Sequence, residues 1–378
     1  MGSPELVVVA LPCVAQFVIV LDVTIVAIAL PVVQSDLGLS SALLGWVVTV
    51  YPLVFGCCLL AAGRLADRVG RRRTFVIGLL VFGGASLACA LAPTGPVLLA
   101  GRAAQGLGAA LVSPAALALV TAARPSGDER RRALGWWTAA AAGGGASGWV
   151  LGGVVSGWLD WRWVFLVNVP VCLVCAALAP RLLAESRARL RRLRWRVLGR
   201  RAVLGPNGVA AVLTATTTPA VLLCTLHAQQ RLGLSPVMAG LLFPPFNVAV
   251  IAASLLGPRI TRGAIPGGLL AIAAGAGLLA LHLAIPTMLV AFVLMGAGLG
   301  VASVASTAQG TEAVDADDQG VASALLATSA QLGTALGLAV FLPTGFVPVA
   351  ALAFIIAVSW QGLDMEVRSE RRPRCATG

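Results

Sequence analysis

Charge is what this sequence has least of. Only 11% of its 378 residues are charged, against roughly 25% in an ordinary soluble domain. Lysine is absent, and all 27 basic residues are Arg. The apolar share is 58%. A soluble domain keeps much of its exterior wet, so this shortage of charge excludes one. Chemistry-bearing clusters are missing too. No nucleophile stands beside a base, no ligand set has metal spacing, and no GxxxxGK[ST] loop is present. An enzyme, a metal cofactor and ATP hydrolysis are therefore not expected. Eight Cys are scattered, seven in apolar segments and Cys375 in the tail. Cys172 and Cys175 lie three apart without further ligands nearby. Buried thiols of this kind behave as small hydrophobes, and no disulfide is expected.

Long apolar segments fill the space that charge vacates. Each run of about 20 nearly uncharged residues can cross a hydrocarbon core of about 30 Å. Twelve such spans are read from the sequence: 6–31, 41–62, 74–92, 96–120, 134–158, 163–180, 207–227, 237–257, 266–284, 286–308, 319–341 and 345–361. The expected fold class is an all-α integral membrane protein. No cleavable signal is expected, because 6–31 is too long for one and leads into further spans.

The net charge of +12 points to topology rather than to nucleic acid. With both termini cytoplasmic, the inner loops and the tail hold 24 of the 27 Arg. Arg162 and Arg231 fall on outer loops, and Arg102 lies within a span. That asymmetry fixes orientation. The basic stretch 181–201 divides the chain into two sets of six spans. It is either an interfacial helix on the inner leaflet or a solvated linker. The only acidic loop is 311–320, and acids weigh little in the orientation rule. Glycines recur at a spacing of four at Gly144, Gly148 and Gly152, at Gly296 and Gly300, and at Gly333 and Gly337. Such rows permit close helix contact, either for static packing or for sliding.

Ionisable residues within a membrane are costly and therefore informative. Asp22 lies nine residues before Pro31, where the first span is expected to end. Arg102 lies six residues after Pro96, where the fourth begins. At 1.5 Å per residue both sit roughly 10 Å below the outer face. They can approach one another, as a proton- or substrate-linked group or as a static pair between helices. The loop GRLADRVGRRRTF, 63–75, joins the second and third spans. Gly63 and Gly70 allow tight turns, and Asp67 can cap a helix or pair with an Arg. In SGWLDWRWVFLVNVP, 156–170, Trp rings mark the outer interface. Asp160, Arg162 and Asn168 read as a clamp for the outer hairpin, with Asn168 satisfying a backbone group freed by Pro170. Candidate cavity residues are Gln105, Thr214, Thr216, Thr217, Thr218, Gln229, Gln230 and Asn247, with Phe243, Phe246 and Phe292 as aromatic contacts. Each Thr hydroxyl can equally bond its own helix. His227 and His282 read as packing residues more readily than as relays.

The loop GRLADRVGRRR resembles the signature loop of the major facilitator superfamily, and GRAAQGLGAA, 101–110, resembles its fourth-helix motif. GGGASGWVLGGVVSG, 143–157, is similar to the antiporter motif of the fifth helix. LDVTIVAIALP, 21–31, and DWRWVFLVNVP resemble marks of the drug:proton antiporter branch that usually has fourteen helices. RLGLSPVMAGLLFPP, 231–245, and GVASALLATSAQLGTALGLAV, 320–340, are similar to its later helices. The likeness covers nearly the whole chain. It implies two six-helix halves, 1–180 and 207–361, around a central cavity, with a cytoplasmic linker at 181–206 and a tail at 362–378. It implies roles for matched residues: Asp22 and Arg102 in proton coupling; Gly63, Asp67, Arg68, Gly70 and Arg71 in a conformational gate; Gly148, Gly152 and Gly153 as hinge and packing glycines. The chain departs from the pattern at Ala27, where Asn is usual, and at Trp149, where Pro is usual. The second-half copy of the loop, GPRITRG at 257–263, has lost its acid, and the extra central helix pair is absent.

The expected function is proton-coupled efflux of small lipophilic compounds, including cations, drugs or antibiotics, across the plasma membrane. The expected partners are that substrate, protons and the bilayer. No nucleic acid is expected, and the chain is expected to be monomeric. A nutrient symporter or facilitator is a second reading. A non-transporting scaffold or sensor, or an incomplete gene product, is a third.

Overall fold

The computed structural model describes residues 3–123, 127–186, 201–256, 263–312 and 319–370. Every regular element among them is helical. The first half holds α1 (Ser3–Leu37), α2 (Ser41–Val69), α3 (Arg71–Ala90), α4 (Gly95–Ala123), α5 (Gly127–Trp158), α6 (Trp163–Leu166) and α7 (Asn168–Leu182). The second holds α8 (Arg201–Gln230), α9 (Pro236–Gly240), α10 (Pro244–Leu256), α11 (Ala264–Leu281), α12 (Ile285–Glu312), α13 (Gln319–Thr344) and α14 (Phe346–Glu370).

These fourteen helices make twelve crossings. Ten segments are long and apolar enough to span, with α6–α7 and α9–α10 each counting as one. The shorter apolar helix Phe346–Ser359 and the Gly- and Ala-rich α5 complete the set. The two breaks have a common cause. Proline has no N–H to donate and crowds the preceding turn. Pro170 follows the break at Val167, and Pro244 opens α10 after the break at 241–243. Pro31 does not end α1, contrary to expectation. The helix runs on to Leu37 with Pro12 and Pro31 inside it.

The glycine rows are contact surfaces. Gly144, Gly148 and Gly152 set α5 against the backbone of α1, Gly296 and Gly300 set α12 against α10, and Gly333 and Gly337 set α13 against α8. A β-carbon at Gly152 would lie 2.8 Å from the Ile25 carbonyl oxygen. Gly152→Val therefore forces α1 and α5 apart. Overpacking of this kind costs about 1–3 kcal/mol. Its thermal unfolding midpoint in detergent is expected to fall, whereas that of Gly84→Ala holds or rises slightly, since nothing lies within 4 Å of that site and Ala favours the helix over Gly.

One buried apolar cluster lies wholly in the first half and includes Phe55, Phe75 and Phe82. A larger one runs from α1 through α5 into α8–α14 and joins the halves. The halves meet where α2 packs on α13, α5 on α9 and α1 on α8. At the end of the bundle carrying Asp36, Gln229 Nε2 donates to the Ile28 carbonyl at 3.0 Å and Gln230 Nε2 to Gln34 Oε1 at 3.1 Å.

Candidate functional site

Four helices bring one polar cluster together within the first half. Asp22 comes from α1, Ser86 and Cys89 from α3, Arg102 and Gln105 from α4, and Asn168 from the first position of α7. The three-residue spacing of Arg102 and Gln105 puts both on one face of α4. Asp22, Ser86, Gln105 and Asn168 are completely buried, and Arg102 is 2% exposed. The Asp22 carboxylate accepts from three side chains. Arg102 Nη1 donates to Oδ2. Gln105 Nε2 and Asn168 Nδ2 donate to Oδ1 at 3.0 and 2.8 Å. Gln105 is shared outward, with Oε1 accepting from Arg102 at 2.8 Å and Nε2 reaching Ser86 Oγ at 2.8 Å.

The arrangement follows from the cost of charge away from water. A lone buried carboxylate or guanidinium loses several kcal/mol of hydration, and close pairing with further donors recovers it. Arg102 is held further by the Val47 carbonyl at 3.4 Å and by the Tyr51 ring, with its guanidinium carbon 4.5 Å from the ring centroid. Tyr51, the sole tyrosine of the chain, is itself fully buried. Ser86, Cys89 and Tyr51 carry no sequence signal, because small polar residues are common in membrane helices and a single aromatic ring has no pattern.

Asn168 is not where its sequence context predicts. Its amide donates to Asp22 inside the bundle, and its Oδ1 is buried without a hydrogen-bond partner. The other two members of the expected clamp act at the Asp36 end. Arg162 Nη1 reaches Asp160 at 3.3 Å and Asp36 Oδ2 at 3.2 Å. Trp161 Nε1 donates to the same Asp36 oxygen at 2.8 Å, and Arg162 lies over the Trp161 ring. The α5–α6 turn is thus tied to the end of α1. Sequence does not point to Asp36, because Pro31 predicts an earlier end to α1.

A cavity of about 210 Å³ lies between the halves. Thr24 and Ala27 of α1, Val48 and Tyr51 of α2, Arg102 of α4 and Trp149 of α5 line one side. Thr214, Thr217 and Thr218 of α8, Phe246 and Asn247 of α10 and Thr334 of α13 line the other. Thr217 and Asn247 both line this cavity. Gln105 and Gln229 are not among its lining residues. The first is consumed by the Asp22 cluster and the second by the Ile28 carbonyl. Thr216 and Gln230 are likewise engaged elsewhere, with Val212 and Gln34. Trp149 stacks on Phe243 at 4.2 Å, and Phe243 packs on Phe292 at 4.9 Å. These rings, with Gly153 against Pro236 and Val237, pack the halves together beside the cavity. In the sequence, Trp149 stands out only as a replacement for a usual proline.

At the opposite end, Gly70 joins α2 to α3 with φ 126°. Only glycine adopts that conformation readily. Asp67 pairs with Arg71 one turn later at 3.3 Å, and Arg68 is exposed. Gly63 approaches Pro114 of α4. The neighbouring residues dock onto the segment after α7. The Arg72 amide donates to Glu185 Oε1 at 3.1 Å, the Arg72 guanidinium reaches the Leu183 carbonyl at 3.1 Å, and Arg71 N donates to the Ser186 carbonyl at 3.0 Å. Glu185, at the edge of the basic stretch, gives no signal of this role in the sequence. Most of the second-half loop copy at 257–263 and most of the linker lie outside the described residues. Among the described residues, no group of three His, Cys, Asp or Glu is arranged to hold a metal.

Residues 13–338 match the Major Facilitator Superfamily. The puromycin resistance protein pur8 of Streptomyces alboniger is 34% identical over 398 aligned positions, covering 86% of this chain and 78% of that protein. The lincomycin resistance protein of Streptomyces lincolnensis is 31% identical over 408 positions, covering 89% and 83%. The cephamycin export protein CmcT of Amycolatopsis lactamdurans is 43% identical over 179 residues, which is 47% of this chain and 37% of that one. In fold, the chain resembles a bacterial homologue of the human lysosomal transporter Spinster, solved in an inward-facing, unoccupied conformation. The TM-score is 0.78, with 95% and 96% of the two chains covered at 16% identity.

Proposed function

The chain belongs to the Major Facilitator Superfamily, and from that premise we propose that it exports small lipophilic compounds, drugs or antibiotics among them, in exchange for protons. The observation that carries the reading is the Asp22–Arg102 pair. It is buried, it lies in the first half, and its arginine lines the cavity shared with the second. Asp22 is the group that takes and gives up the proton. Charged, it holds α1, α4 and α7 together through Arg102, Gln105 and Asn168. Protonated, it accepts more weakly from all three, and the arginine loses its neutralising partner. Each protonation state therefore favours a different packing of these helices. That differential is what links an ion gradient to a change of access. The relatives named for puromycin and lincomycin resistance and for cephamycin export support the efflux direction.

In this reading the halves 1–180 and 207–361 rock about the cavity. The linker 181–206, both termini and the tail 362–378 face the cytoplasm of a plasma-membrane monomer. The Asp36 end faces outward. Gly63, Asp67, Arg68, Gly70 and Arg71 form a gate at the cytoplasmic face, and Gly148, Gly152 and Gly153 let α5 slide on its neighbours. Asp160 and Arg162 hold the outer turn.

Cells lacking other pumps provide the test. Expression of the chain is expected to lower the accumulation of dyes or antibiotics, and a proton uncoupler to restore it. Raised accumulation on expression would mean import and defeat the reading. Orientation is checked with a single introduced cysteine. Arg191→Cys is expected to resist an impermeant thiol reagent in intact cells and to react in inside-out vesicles. Labelling in intact cells would overturn the topology.

A further inference from the structure

The cavity has an uneven inventory of charge. Arg102 is the one ionised side chain among its described lining residues, and no carboxylate lines it. Asp22 is completely buried behind that arginine and already accepts from three donors. Two of the aromatic faces are already taken. Tyr51 receives Arg102, and Trp149 is stacked on Phe243.

The rest of the wall is rich in acceptors. Thr24, Thr214 and Thr217 each donate their hydroxyl hydrogen to a backbone carbonyl, at 3.1, 2.6 and 2.7 Å. What remains on each oxygen is acceptor capacity. Proline adds to this. Pro31 and Pro52 lie inside α1 and α2 and have no N–H. The carbonyls four residues earlier, at Ala27 and Val48, lose their usual helical donor. Both of those residues line the cavity.

We infer that this cavity takes uncharged ring compounds bearing N–H or O–H donors and turns away permanent cations. The inference rests on the export reading and names its substrate class. The Thr oxygens and the proline-freed carbonyls receive the donors, while Trp149 and Phe246 pack against the rings. A permanent cation meets the positive end of the Asp22–Arg102 pair. When Asp22 is protonated, it meets a guanidinium with no counter-charge. At these separations in a poorly screened cavity, like charges repel strongly. The proton and an uncharged donor-bearing substrate do not compete for one carboxylate. They act through neighbouring groups on the same wall.

Three two-ring probes of nearly equal size separate the contributions: 2-naphthol, naphthalene and N-methylquinolinium. Each is dialysed to equilibrium at pH 7 against the full chain in lipid nanodiscs, with empty nanodiscs subtracted. Specific retention of 2-naphthol is expected to exceed that of N-methylquinolinium at least tenfold, and that of naphthalene severalfold. Thr218→Asp places a carboxylate on the wall and is expected to raise N-methylquinolinium retention at least tenfold. Equal or tighter retention of N-methylquinolinium by the unaltered protein would overturn the inference. So would the absence of specific retention of 2-naphthol in protein whose uncoupler-sensitive export is intact, since the export reading would then survive without this substrate class. Loss of all uncoupler-sensitive export in cells would instead sink the export reading.

Discussion

Asp22→Asn is expected to reduce uncoupler-sensitive export to the level of cells without the protein, a larger fall than that in membrane abundance. The substitution is nearly isosteric. The new amide has one acceptor oxygen where the carboxylate had two, so it keeps either the Arg102 bond or those from Gln105 and Asn168, and Arg102 is left buried without a counter-charge, which lowers the unfolding midpoint. The amide has no proton to exchange. Apolar contact with Trp149 and Phe246 is untouched, so substrate binding is expected to persist while gradient-driven accumulation is lost. Export assayed with and without an uncoupler, beside quantified membrane protein, checks both halves of this expectation. Equal losses of abundance and export would reassign Asp22 to folding.

Arg102→Ala breaks the same pair from the other side. It removes the guanidinium and leaves the Asp22 carboxylate buried with only Gln105 and Asn168 as donors. Breaking a buried pair from one side costs about 3–5 kcal/mol, because a charge remains without its partner. Both the unfolding midpoint and export are expected to fall. The Asp22→Asn/Arg102→Ala double variant removes both charges, so it is expected to regain much of the midpoint and none of the export. Additive losses in the double variant would show that the two residues do not act as a unit. Arg102→Lys keeps the charge and loses the planar fork that reaches Asp22, Gln105 and the Val47 carbonyl together. Partial export with a lowered midpoint is the expected result.

The helical spans are legible in the sequence because uncharged runs of this length are rare outside a bilayer. The glycine rows are legible because their spacing matches the helix repeat. The contact of Asp22 with Arg102 follows from depth. Measured to Pro31 and Pro96 the two stand at similar depths, although α1 runs on to Leu37, and no other charged residue falls within a first-half span. Partners that depend on three-dimensional convergence are hidden. Asn168 looks like a backbone partner for Pro170 because sequence proximity favours that reading, yet the break at Val167 turns it toward Asp22. Gln229 looks like a cavity residue because polar groups late in a span invite a ligand, yet α1 supplies a carbonyl first. Glu185 is hidden among arginines, where a single acid reads as charge balance. Ala27 and Val48 are apolar, and only the prolines four residues on show that their carbonyls are short of a donor.

Proton release from the purified protein on addition of an exported substrate tests the central claim most directly. Weakly buffered protein at constant pH, with a pH-sensitive dye in solution, supplies the signal. The account predicts release from the unaltered protein and none from Asp22→Asn, although the variant still binds the substrate. Undiminished release from Asp22→Asn would contradict it, leaving Asp22 as a packing residue and the proton carried elsewhere.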